Sequence, residues 1–178
     1  MNIFTTDYCP VQSAQNVCNE HFKMIVESCQ ILATCFSLER LAEQDCPRTI
    51  KGTPRKHFNP KHPSCVWAKK STGNMDWLIM HTLALLEEKK YRYPDSPRHF
   101  CHDFVDWVIE NLEDANTPEG ELTEFSVAIS DDSECRKIRD FEQKSVVDKY
   151  RLYYIYDKAR FATWKKREKP DWFLTSLS

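Results

Sequence analysis

The chain has only three glycines in 178 residues. That scarcity, beside many runs with helical periodicity, points away from a turn-rich architecture and toward helices. No apolar run approaches the roughly 20 residues that a membrane-spanning helix needs. The start, MNIFTTDYCP, has neither the basic head nor the apolar body of a signal peptide. No membrane partner and a cytoplasmic location are expected. Eight cysteines are scattered without a C-x-x-C pair, which argues for reduced thiols acting as small hydrophobes. A lone cluster at His99, Cys101 and His102 is too local for a zinc site, so no metal and no cofactor is expected. Walker and dinucleotide glycine loops, G-x-S-x-G, H-E-x-x-H and the zinc-deaminase signature are all missing.

Acidic residues are also missing from one long stretch. Between residues 47 and 75 there are seven Lys or Arg and no Asp or Glu. Residues 103–148 reverse the balance, and 149–169 are basic again, with eight Lys or Arg against Asp157 and Glu168. The net charge of −2 therefore hides two basic blocks around an acidic one. Such blocks create local positive surface suited to phosphate, or they are merely solvated faces.

The length suits one domain, 1–178, with a mainly α fold: a bundle of about four to five helices, long loops and little or no sheet. "NIF" reads as a short strand or an anchored arm. Residues 13–37 read as one long helix, with a broad apolar arc and a polar strip of Asn16, Asn19, Glu20, Lys23, Glu27, Gln30 and Thr34. His21 and Ser28 interrupt the arc. A basic, proline-containing loop is expected at 38–63, then a helix opened by His62-Pro63. A second helix follows, capped by Asn74 and running over 75–90. Helices are also expected over 100–112 and 141–166. The acidic segment 115–134 reads as irregular, with a short strand possible at EFSVAI.

Three constellations carry candidate chemistry. Lys23 and Glu27 stand four apart on one helix face, an amine beside a carboxylate, which suits acid/base or Schiff-base work; the plain alternative is a surface ion pair. His21 is a third catalytic candidate, although a histidine on an apolar arc also serves as core. The basic loop offers Arg55, Lys56, Asn59 and His62 for phosphate, and Trp67 for stacking or for the core. The tail YRLYYIYDKARFATWKKREKPDWF interleaves eight aromatics with seven bases, giving Lys158, Trp164, Lys165 and Trp172 as nucleotide contacts. Arg92 completes the phosphate-binding candidates. The two blocks are expected to gather around the polar strip as one concave patch.

MNIF, CNEHFKMIVESCQIL, KHPSCVW and the ending YYIYDKARFATWKKREKPDWF resemble a family of uncharacterised bacteriophage proteins. The order of parts also resembles, more distantly, phage-type endonuclease V, a pyrimidine-dimer DNA glycosylase and abasic-site lyase. The resemblance implies an N-terminal amine that attacks the sugar and forms a Schiff base, a glutamate on the first helix that assists, and a neighbouring arginine that grips DNA. Lys23 falls at the arginine position, Met24 at the glutamate position and Glu27 at a further arginine position. His62 matches a histidine before the central helix, and Trp172 a stacking tryptophan. Met24 has no acid/base chemistry, so Glu27 would take the carboxylate role. Asn2 is large enough to keep Met1 in place, shifting the amine by a residue.

The leading expectation is a phage-encoded DNA glycosylase or lyase in the host cytoplasm. One alternative is a non-catalytic protein that captures a cyclic or ADP-ribose-type defence nucleotide, as a homo-oligomer. Another is an interaction module using the acidic segment. DNA or a small nucleotide is the expected partner of the first two.

Overall fold

The computed structural model describes residues 1–174. The mainly α expectation is what forms: eight α-helices, and no strand among the described residues. In chain order they are α1 (Pro10–Asn16), α2 (Met24–Ala33), α3 (Leu38–Ala42), α4 (Pro63–Ala68), α5 (Thr72–Arg92), α6 (His102–Glu110), α7 (Val146–Tyr153) and α8 (Asp171–Leu174). α5 is the axis. α1, α2, α4 and α6 all pack on it, around a core that includes Met24, Ile25, Leu32, Leu78, Leu85, Phe104, Val108 and Tyr150. All eight cysteines are free thiols, and seven are buried in or beside this core. None of the helices is long and apolar enough to cross a membrane, among the described residues.

The single helix expected over 13–37 does not form. The chain leaves helical geometry at Val17, whose ψ is 134°, makes a 3-10 turn over Asn19–His21 and restarts at Met24. The cause lies far away in sequence. Arg92, at the end of α5, donates from Nη2 to the Gln15 carbonyl (2.9 Å) and from Nη1 to the Val17 carbonyl (2.8 Å). Trp164 Nε1 donates to the Asn16 carbonyl (2.9 Å). Carbonyls engaged this way turn out of the helix, and the break follows.

Other boundaries shift for equally local reasons. The cap of α5 is Ser71, whose hydroxyl accepts from the Asn74 N–H. Asn74 lies inside the first turn and is buried; its amide donates to the Trp67 carbonyl (2.7 Å) and accepts from the Thr123 N–H (2.7 Å). The first turn of α5 also holds the acidic segment. Thr72 N–H donates to the Pro118 carbonyl and Gly73 N–H to the Gly120 carbonyl, both at 2.9 Å. These are donors that a helix start leaves open. Gly73 is needed for the close approach, since a Cβ there would lie 2.5 Å from the Leu122 nitrogen. EFSVAI is irregular rather than a strand, and side chains take up its backbone groups: Ala128 N–H donates to the Tyr150 hydroxyl (3.0 Å), and the Ala128 and Ile129 carbonyls accept from Asn2 and Arg136.

Ser37 caps α3 inside the segment expected as pure loop. The last long helix stops early: α7 widens into a π-helical turn over Tyr154–Lys158, and the chain then runs irregularly to α8. That lets Trp164 and Thr163 reach back to the start of the molecule. The N-terminal "NIF" is an extended arm, tied by Asn2 to α2 and to the Ala128 carbonyl.

Candidate functional site

The polar strip of the opening segment is divided among three clients. Asn19 and Glu20 hold the tail: Asn19 N–H donates to the Thr163 carbonyl (2.8 Å), and the Thr163 hydroxyl donates to Glu20 Oε1 (2.6 Å). Glu27, with Lys23 beside it, holds the N-terminal arm through the Asn2 N–H. Gln30 faces the basic loop, in a cleft of about 420 Å³ shared with Val26, Arg55, Lys56, His57 and Phe58. The expected single patch is therefore two clefts. The tail's own cleft, about 720 Å³, lies between α1 and residues 166–172 and shares no lining residue with the loop cleft. The tail is drawn to α1 and the end of α5, while the loop lies against α2 and α6.

Glu27 is the centre of the first cluster. Its Oε2 accepts the backbone N–H of Asn2 at 2.9 Å, and its Oε1 lies 3.8 Å from Lys23 Nζ. Lys23 is open to solvent and Glu27 mostly covered, with side-chain exposures of 64% and 19%. His62 stands beside them at the cap of α4. Its Nδ1 accepts the Ser64 N–H (3.2 Å), which assigns the proton of the neutral ring to Nε2. Partial burial, with the positive N-terminus next in weight, lowers the His62 pKa; Glu27 pulls the other way. The cluster thus holds an α-amine, a lysine amine, a carboxylate and a neutral imidazole. Met24, by contrast, is fully buried in the core.

The remaining candidates fall into three groups. His21 is interior: it stacks on Phe4 at 4.3 Å, and its Nδ1 is 2.7 Å from the Tyr154 hydroxyl. Burial, then Lys23 and Lys158, push its pKa down to about 4. Trp67 is core, edge-on to Trp77 at 6.0 Å. Arg92 is 0% exposed. Besides the Gln15 and Val17 carbonyls, it donates to Glu88 Oε1 (2.6 Å) and Asn19 Oδ1 (3.0 Å), so its donors are occupied within the fold. These three side chains build the interior.

The tail candidates are half-structural. Trp164 is fixed by its bond to Asn16, and Lys165 lies over the Tyr93 ring at 4.6 Å. Lys158 lies over Tyr153 at 4.4 Å. Trp172 lines the tail cleft and meets Tyr154 edge-on.

The loop candidates remain at the surface or in the cleft wall. Asn59 is exposed, with φ of 49°, and its carbonyl accepts the His62 N–H, making the turn before α4. Lys56 is exposed at the cleft rim. Arg55 is 8% exposed and lies over the Phe104 ring at 3.8 Å. Among the described residues, none of the seven basic side chains of residues 47–75 forms an ion pair.

Sequence reasoning passed over Phe58 and Phe100, two exposed rings at the loop cleft. The signal was there for Phe58, a large apolar residue among prolines and lysines. No family model, curated protein or solved structure matches this chain. The site is therefore read from its own geometry.

Proposed function

We propose that the protein is a DNA-directed enzyme of the glycosylase/abasic-lyase kind, encoded by a phage and working at the Glu27 cluster. The observation that carries the reading is the 2.9 Å hydrogen bond from Asn2 N–H to Glu27, which ties the residue next to Met1, the bearer of the α-amine, to a carboxylate. The α-amine of Met1 is the nucleophile of this reading. Its lone pair adds to C1′ of the ring-opened abasic sugar. The carbinolamine loses water to give an imine. Glu27 then takes a proton from C2′, and the electrons left there expel the 3′-phosphate oxygen. In this reading His62 Nε2–H donates a hydrogen bond to the oxyanion or a phosphate, and Lys23 supplies charge to the strand. The unpaired cations of the loop hold neighbouring phosphates.

A labelled duplex with one abasic site tests this directly. The wild-type protein cleaves the strand at that site, and Glu27→Gln slows cleavage by about 100-fold or more, within the range for a lost general base. Absence of cleavage, or equal rates for the two proteins, would remove the reading. A second reading, nucleotide capture without turnover, draws on the cleft under the loop. Nucleotide binding in the absence of strand cleavage is its mark.

A further inference from the structure

The loop cleft contains a buried cation with no carboxylate partner among the described residues. Arg55 is more than nine-tenths buried, its Nε donates to the Pro47 carbonyl at 3.0 Å, and its Nη2 is enclosed without a hydrogen-bond partner. No carboxylate of the described residues forms an ion pair with it. Its neighbours are the Phe104 ring and the thiols of Cys29, Cys46 and Cys101, which feel its charge. A buried cation in such company is costly unless an anion reaches it. Other arginines of this chain do have carboxylates: Arg40 has Asp45 and Asp114, and Arg92 has Glu88.

The cleft wall beside Arg55 has the rest of a recognition surface. Lys56 adds an exposed cation at the rim, without an ion pair among the described residues. Phe58 and Phe100 show 56% and 42% of their surface to solvent. Gln30 brings an amide, donor and acceptor together, from α2. His57 is fixed by its Nε2 bond to the Phe36 carbonyl (2.8 Å), which leaves Nδ1 as an acceptor. At about 420 Å³ the space lies in the range of small-ligand sites.

We propose that this cleft binds a single nucleotide unit, with its phosphate on Arg55 and Lys56, its base against Phe58 and Phe100, and Gln30 contacting the base edge. The ligand class is shared with the reading of the Glu27 cluster, but the cleft is a separate site and is tested by binding alone. The same chemistry is offered by a free mononucleotide and by one unit of a single strand.

Calorimetric titration of the full chain with deoxynucleoside 5′-monophosphates, a short oligo-dT, inorganic phosphate and an unphosphorylated deoxynucleoside is the test. A mononucleotide is expected to bind saturably, about tenfold or more tighter than phosphate or nucleoside alone. Tighter binding of oligo-dT assigns the site to a strand. Phe58→Ala, a surface change, weakens binding about 5- to 100-fold, the range for loss of one stacked base. Lys56→Ala weakens it less and makes it less sensitive to salt. Arg55→Met should abolish it, with circular dichroism as the folding control. No saturable binding at millimolar concentration, or binding unchanged in both Phe58→Ala and Lys56→Ala, overturns the proposal. Strand cleavage without mononucleotide binding overturns the cleft and leaves the Glu27 reading standing; binding without cleavage does the reverse.

Discussion

The basic loop and the basic tail carry seven Lys or Arg each, in residues 47–75 and 150–173, yet the fold treats them differently. In the tail, Arg167 makes two bonds to the buried Glu88, at 3.0 and 2.9 Å, sharing that carboxylate with Arg92. Trp164 bonds α1, Thr163 bonds Glu20, and Lys166 reaches the Tyr91 carbonyl. In the loop, Lys51, Lys56 and Lys61 are exposed, as is Lys70 just after α4, and none has an ion pair among the described residues. One block closes the structure; the other keeps its charge open. A run of cations and rings is thus not a binding surface by composition. What separates the two is whether a buried carboxylate or a turned-out carbonyl lies within reach.

Glu88→Ala should show the contrast most strongly. It leaves the buried Arg92 guanidinium and its neighbour Arg167 without a carboxylate, a change worth about 3–5 kcal/mol of folding stability by denaturant titration. A loss below about 1 kcal/mol would mean that the tail is not the clasp described above.

Acid should separate core from clasp. His81 is fully buried with neither ring nitrogen hydrogen-bonded among the described residues, and burial pushes its pKa down to about 3. Its folded-state pKa is below the unfolded value of about 6.5. The stability it permits is therefore whole above pH 6.5 and falls as the pH drops toward 3, by about 2 kcal/mol at pH 5. His21 acts in the same direction. For Glu88, burial favours the neutral acid, but hydrogen bonds from Arg167 and Arg92 outweigh it and hold the carboxyl below its ordinary range. Its contribution is present above about pH 4.5 and is lost only as the pH falls through the folded value. Thermal melts from pH 7.5 to 3 should show the histidine loss first and the clasp loss last. His81→Phe should shrink the first part, leaving the share of His21, and leave the last part unchanged.

Trp164→Phe keeps the ring and removes the bond to Asn16; a stability loss of about 1 kcal/mol is expected. At the smallest end, Lys51→Ala and Lys61→Ala in the loop should shift stability by less than about 0.5 kcal/mol. They should still reduce the salt dependence of DNA binding, by roughly one unit of slope for each phosphate left without its lysine. A loop lysine whose removal costs as much stability as Trp164 would break the contrast.

Much of the fold was legible because its signals are local. His62-Pro63 marked the start of α4, and the apolar period marked α5. The break between α1 and α2 was not legible, since Arg92 and Trp164 cause it from more than 70 residues away. The early end of α7 and the docking of the acidic segment on Ser71–Asn74 are also tertiary effects. In the site, the spacing of Lys23 and Glu27 was readable along one helix. Their meeting with Asn2 and His62 was not, because that depends on how the arm and α4 fold back. Arg55 could be named as a cation, but its burial without a partner is a property of packing on Phe104.

The most direct test of the Glu27 account is borohydride reduction of the protein with abasic DNA, followed by peptide mapping of the cross-link. A DNA adduct on the peptide beginning with Met1, at its α-amine, and much weaker in Glu27→Gln, is the predicted result. No reducible adduct, or one confined to lysines of the exposed loop, would contradict it.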